Sequence, residues 1–153
     1  MTDKKKLYAR IHAQAEGLLS GESDPIANAA NLAALLFMEL DEVNWVGFYF
    51  LKGAELILGP FQGQTACTRI ELGMGVCGTA AKSRQPLIVD NVDEFAGHIA
   101  CDGASQSEIV IPLLKDGSLL GVLDIDSPQL ARFDSIDRQG LESLADLYLE
   151  NSE

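Results

Sequence analysis

Positive charge is scarce in this sequence: 11 Lys and Arg stand against 23 Asp and Glu, a formal net charge of −12. Such a field repels phosphate backbones and the anionic leaflet of a membrane, so nucleic-acid and membrane-surface binding are poor expectations. The one basic run, Lys4-Lys5-Lys6, is too short for a binding footprint and reads as a solvated helix start. Long apolar runs are missing too, so no membrane-spanning helix is expected. After the lysines, Leu7-Tyr8-Ala9-Arg10-Ile11-His12 is amphipathic rather than a signal-peptide block, and a cytoplasmic location is expected. Cysteine is limited to three residues with no Cys-x-x-Cys pair, which argues against a disulfide framework and a thioredoxin-like motif. In a reducing compartment the remaining uses of cysteine are catalysis, metal binding and packing. No repeat, low-complexity stretch or linker breaks the chain. A single domain is expected over residues 1–153, with an N-terminal helix within residues 1–20.

What is present is a substantial apolar fraction, 47% of residues, enough to build a core without staples. Helical spacing covers residues 5–19. Asp24-Pro25 reads as an N-cap with proline at the first helical position, ahead of Ile26, Ala29, Ala33, Leu36 and Leu40 on one face. Residues 43–51 alternate, with Trp45, Gly47, Tyr49 and Leu51 on one side and Val46, Phe48 and Phe50 on the other. Both sets are largely apolar, so this strand is expected at the centre of a sheet covered on both faces. A second strand at 55–58 is expected to end at Gly59-Pro60. Residues 61–78 are glycine-rich, with a short strand near 68–72. A helix follows at about 76–83, then a strand at 87–89 and an irregular segment at 91–107. Strands at 108–115 and 119–126 are joined at Asp116-Gly117, a strong hairpin signal, and a last helix follows Asp134. This order is that of an α+β domain.

The two irregular segments hold Cys67, Cys77 and Cys101. Long loops inside a compact domain are commonly functional, although a lone cysteine is more often a small buried hydrophobe than a nucleophile. Cys77 sits near a helix start, where exposed amides lower a thiol pKa; core packing under the helix is the competing account. Cys67, Cys77, His98 and Cys101 can in principle make a Cys3His zinc site. Only His98-x-x-Cys101 has close ligand spacing, however, and no metal is expected. The acids say more. Asp124 and Asp126 are two apart on a strand and face the same side, and counting outward from the hairpin turn puts Glu108 nearly opposite them. Charge placed together at the end of such apolar strands suits gripping a cation.

Three segments carry a recognisable pattern: Gly59-Pro60-Phe61-Gln62-Gly63 with Ala66-Cys67, Gly73-Met74-Gly75-Val76-Cys77-Gly78, and Gly97-His98-Ile99-Ala100-Cys101-Asp102. Together with Ser107-Glu108-Ile109-Val110, Gly121-Val122-Leu123-Asp124-Ile125-Asp126-Ser127-Pro128 and Arg132-Phe133-Asp134, this pattern resembles the free methionine-(R)-sulfoxide reductases, which are stand-alone GAF domains. The resemblance runs from about Asn28 onward; Ala96 departs from it, standing where the family usually has proline. It implies a six-stranded antiparallel GAF-like sheet flanked by helices, often in a homodimer. It assigns the attacking thiol to Cys101 and the resolving thiol to Cys67, with Cys77 as the alternative. A ligand pocket is expected from Trp45, Glu108, Asp124 and Asp126.

The expected chemistry is reduction of free L-methionine-(R)-sulfoxide through a cysteine sulfenic acid and an intramolecular disulfide. An external dithiol such as thioredoxin then regenerates the thiols, with no bound cofactor. Glu108 or Asp126 is the expected proton donor, since crowded carboxyls cannot all ionise. Two rival readings are a non-enzymatic GAF ligand sensor and a redox-sensing thiol protein, and turnover of the sulfoxide separates both from a reductase.

Overall fold

The computed structural model describes residues 3–97 and 103–153. Its elements run α1 (Asp3–Leu19), α2 (Pro25–Glu39), β1 (Trp45–Lys52), β2 (Glu55–Gly63), β3 (Arg69–Glu71), α3 (Gly75–Ser83), β4 (Leu87–Val89), a 3-10 turn (Val92–Glu94), β5 (Ser107–Lys115), β6 (Ser118–Ser127) and α4 (Ser135–Asn151). The strands form one six-stranded sheet in the order β3-β2-β1-β6-β5-β4, antiparallel at every pairing. This is the α+β, GAF-like architecture that the sequence pattern implies. No described helix is long and apolar enough to cross a membrane.

The two faces of the sheet have different coverings. Val46, Phe48, Ile109, Ile111, Leu123 and Ile125 pack with the apolar faces of α1, α2 and α4. On the opposite face Trp45, Tyr49, Val110 and Val122 pack with Val76, Cys77 and Ala80 of α3. β1 is therefore central and buried on both sides, as its doubly apolar alternation requires. Local signals hold at the helix ends: Asp24 accepts hydrogen bonds from Ile26 N at 2.8 Å and Ala27 N at 3.0 Å, with Pro25 opening α2.

One expectation is corrected. Gly59-Pro60 does not end the second strand, because β2 continues through it to Gly63. The register passes from Tyr49↔Leu58 to Gly47↔Phe61, so two residues of β2 oppose Phe48 alone. That is a bulge, the kind of position where a proline without an N–H fits inside a sheet.

A second bulge decides the geometry of the site. The turn at Asp116-Gly117 has φ of 53° and 80°, the paired positive values of a tight hairpin. Close to the turn Leu114 faces Leu119, but the next pair is Leu113↔Gly121. Leu120 is thus the extra residue on β6. Were Leu120 paired with Leu113 in an unbroken ladder, Glu108 would oppose Ile125 and point to the face covered by α1, α2 and α4; with Leu120 bulged out, Glu108 opposes Asp126. Gly121 beside the bulge is crowded: a Cβ there would overlap the Tyr49 carbonyl oxygen and come within 2.9 Å of Phe50 Cα.

Away from the site, Asp137 at the start of α4 is fully buried. It accepts from Tyr8 Oη at 2.8 Å, Lys4 Nζ at 2.8 Å and its own N-cap partner Asp134 N at 2.9 Å, tying α1 to α4. Removing this carboxylate strands those donors. We expect Asp137→Ala to cost about 3–5 kcal/mol and to lower the melting temperature by on the order of 10 °C. Thermal denaturation followed by circular dichroism checks this, and a shift within about 2 °C would contradict it.

Candidate active site

The pairing of β5 with β6 and of β6 with β1 builds the site on the α3 side of the sheet. Asp126 lies between Glu108 on β5 and Trp45 on β1, and Asp124 lies one pleat further along between Val110 and Gly47. α3 lays Cys77 over the same place: its Sγ is 3.8 Å from Glu108 Oε2. Glu108 and Asp124 are only 6% and 5% exposed, and Asp126 is half-buried. The three acids named from the sequence therefore do share one face, beside one of the three cysteines.

Crowding and burial set the electrostatics. Burial first, and then the charges of Asp124 and Asp126, push Glu108 well above the ordinary carboxyl range. Burial and Asp124 also raise Asp126, against hydrogen bonds from Glu108 and Ser105 that pull it down. Cys77 is raised as well, by burial and then by Asp124, Glu108 and Asp126, so its thiol keeps its proton. The Tyr49 phenol is raised by burial and by Asp124. Such a cluster resists complete ionisation, because poorly solvated like charges this close oppose one another.

Aromatic side chains wall the acids on the β2 side. The Trp45 ring is stacked 5.3 Å from Phe61 and 5.9 Å from Tyr49, and its Nε1 donates to Gln64 O at 3.0 Å. At 2% exposure Trp45 is a core residue of this face of the sheet. Gly47 leaves room for it, since a Cβ there would press within 2.8 Å of Trp45 Cζ3. Tyr49 Oη donates to Cys67 O at 2.9 Å, fixing the loop after β2 to the floor of the site.

Of the cysteines, Cys67 is disulfide-bonded and Cys77 is a free, buried thiol. Cys101, expected as the attacking thiol, and His98, weighed as a zinc ligand, lie outside the described residues. Cys77 Sγ and one oxygen each of Glu108 and Asp124 lie within 4.8 Å of one another and would suit a cation. A metal would need the Cys77 thiolate, which its surroundings oppose. An ammonium group makes no such demand. The first turn of α3 has no side-chain cap, with Met74 at the N-cap, so its amide groups remain suited to an anion.

Some site residues escaped the sequence reading. Tyr49 was placed on the correct face by strand alternation but given no role. Asn44 and Ser105 gave no signal, for both lie outside strands and helices, where periodicity says nothing. Ser105 is nonetheless buried, donates to Asp126 Oδ2 at 3.1 Å and accepts from Asn44 Nδ2 at 3.3 Å.

The family model described as "GAF domain" matches residues 26–149. Among curated proteins, the free methionine-R-sulfoxide reductase of Escherichia coli is 48% identical over 142 residues, covering 93% of this chain and 86% of that protein. Among solved structures, the reduced form of fRMsr from Staphylococcus aureus matches with a TM-score of 0.92 at 49% identity, covering 94% of each chain. The free methionine-R-sulfoxide reductase of Neisseria meningitidis, solved in complex with its substrate, matches with a TM-score of 0.94 at 44% identity. It covers 99% of this chain and 91% of that one.

Proposed function

This chain belongs to the GAF-domain family, and we propose that it is an oxidoreductase that reduces free L-methionine-(R)-sulfoxide to L-methionine. The observation that carries the reading is the clustered acid trio of buried Glu108 and Asp124 with half-buried Asp126, set beside Trp45 and under the uncapped start of α3.

In this reading the carboxylates hold the substrate ammonium, the α3 amides take its carboxylate, and Trp45 covers the methyl-sulfoxide end. Glu108 or Asp126 gives a proton to the sulfoxide oxygen as the Cys101 sulfur attacks the sulfoxide sulfur. The hydroxyl then migrates from the substrate sulfur to the Cys101 sulfur as the bond between the two sulfurs breaks. The sulfoxide, reduced by two electrons, leaves as methionine, Cys101 becomes a sulfenic acid, and the proton lost by the thiol restores the carboxyl. Cys67 then condenses with it, expelling water and closing a disulfide, and an external dithiol such as thioredoxin takes up that disulfide by exchange. The choice of Cys67 rather than Cys77 is supported by their states, since Cys67 is disulfide-bonded and Cys77 a free thiol whose environment keeps it protonated. The residues doing this chemistry require no prosthetic group. In this reading the enzyme works in the cytoplasm as a homodimer and serves repair after oxidative stress.

Gripping both the amine and the carboxylate ties the activity to the free amino acid, because in a polypeptide both groups are amides. The test is to incubate the protein with a dithiol and either free L-methionine-R-sulfoxide, the S-epimer or a peptide containing the sulfoxide, and to measure methionine. We expect turnover of the first alone. Absence of turnover, or equal rates with the peptide, overturns the proposal, and binding without turnover would instead indicate a sensor.

A further inference from the structure

Three carboxyls crowded on one face of the sheet raise the question of which one keeps the proton, and the residues around them are not symmetric. Glu108 Oε2 faces the Cys77 thiol at 3.8 Å, a weak donor. Asp126 Oδ2 instead receives the Ser105 hydroxyl at 3.1 Å. That hydroxyl is oriented from behind, because Asn44 Nδ2 donates to Ser105 Oγ at 3.3 Å and so leaves its proton to point at Asp126. Asn44 is fixed in turn by a backbone bond from its N to Asp126 O at 3.0 Å, and Gln106 N donates to Ser127 O at 2.7 Å beside it. The relay is therefore built into the strand ends that carry Asp126, and Ser105 is 8% exposed.

Resting on the reductase reading above, we propose that Ser105, aligned by Asn44, is a positioning residue. It holds Asp126 as the ionised carboxylate that receives the substrate ammonium and leaves the shared proton on Glu108. A hydroxyl aligned to donate to a carboxyl oxygen favours the charged form of its acceptor, by a margin typical of hydrogen bonds to ions. Among the described residues, the titratable groups facing Asp126 are Asp124 on its own strand, Glu108 from β5, Cys77 from α3 and Tyr49 from β1. Among these described neighbours no cation competes with Ser105 for the role.

The test compares wild type, Ser105→Ala and Ser105→Thr. Without the hydroxyl, Asp126 holds its proton to higher pH, so the KM for free methionine-R-sulfoxide should rise about tenfold at the acid end of the profile. The difference should close as pH rises, with kcat changed by less than about threefold throughout, and Ser105→Thr should restore the wild-type profile. A loss of equal size at every pH, an unmoved acid limb, or no rescue by threonine overturns the role. A second measurement needs no turnover: carboxyl 13C NMR titration of the substrate-free protein. The Asp126 resonance should titrate at higher pH in Ser105→Ala and that of Glu108 at lower pH; unmoved titrations overturn the proposal. If the wild type titrates as described but reduces nothing, it is the reductase reading that fails.

Discussion

The Cys101→Ser variant is expected to release no methionine from free methionine-R-sulfoxide, a loss of at least on the order of 10^3-fold. The sulfoxide sulfur must gain two electrons, and a thiol supplies them by accepting oxygen and becoming a sulfenic acid. A serine hydroxyl is a weak nucleophile and has no corresponding oxidised state, so the variant can bind substrate but cannot reduce it. The other two cysteines give a graded contrast. Cys67→Ser should still release about one methionine per chain and then stop, because the first step remains while resolution is lost. Cys77→Ser should keep turning over, since the Cys77 thiol is free and buried and its surroundings hold it in the protonated, unreactive form. Methionine is measured by chromatography in a single-turnover mix and again with excess dithiol. Undiminished release by Cys101→Ser, or a single turnover by Cys77→Ser, would reverse these assignments.

Glu108→Gln is expected to lower kcat/KM by about 10^2- to 10^4-fold, the range for loss of a positioned proton donor. Its effect on stability should have the opposite sign. Burial and its acidic neighbours make Glu108 keep its proton in the folded chain far above the ordinary value of 4.5, to which it returns on unfolding. Between those two pKa values the folded state binds more protons than the unfolded state, so stability falls as pH rises, by about 1.4 kcal/mol per pH unit for each such proton. The stabilising contribution is complete below the unfolded pKa and is lost as pH climbs through the folded one. Glutamine does not titrate and is free of that loss. The variant should therefore melt at a higher temperature than wild type at about pH 8, and the gap should shrink towards about pH 5. Melting curves across this range, read beside the kinetics, check both halves. A Glu108→Gln protein that keeps wild-type kcat/KM removes Glu108 from the chemistry.

Much of this architecture was legible because strong local signals agree with the packing. β1 alternates with two apolar faces and becomes the strand covered on both sides. Asp24-Pro25, Asp116-Gly117 and Asp134 cap or turn the chain where their chemistry says they should. The acid cluster was legible in kind, through the period of two that aligns Asp124 with Asp126, yet its partner was placed only to within one residue. The reason is physical. Nothing in Leu119-Leu120-Gly121 announces that Leu120 adds an unpaired residue, and a bulge shifts everything beyond it. The same blindness ended β2 too early at Gly59-Pro60, where proline reads as a stop unless the partner strand is known to skip it. Ser105 and Asn44 lay beyond reach for another reason: a loop side chain gains meaning only from what tertiary folding brings to it.

The bulge at Leu120 also decides how this hairpin takes a change in chain length. Loops elsewhere tolerate gain or loss of a residue as a local change. Between Asp126 and the bend, loss of the unpaired Leu120 would keep the present strand partners, whereas pairing Leu120 into the ladder would exchange the two sides of β5, sending Ile109, Ile111 and Leu113 toward α3 and Glu108 into the oily layer beneath α4. A single-residue change in this hairpin is therefore tolerated only where the bulge absorbs it, so that the core residues and Glu108 keep their sides.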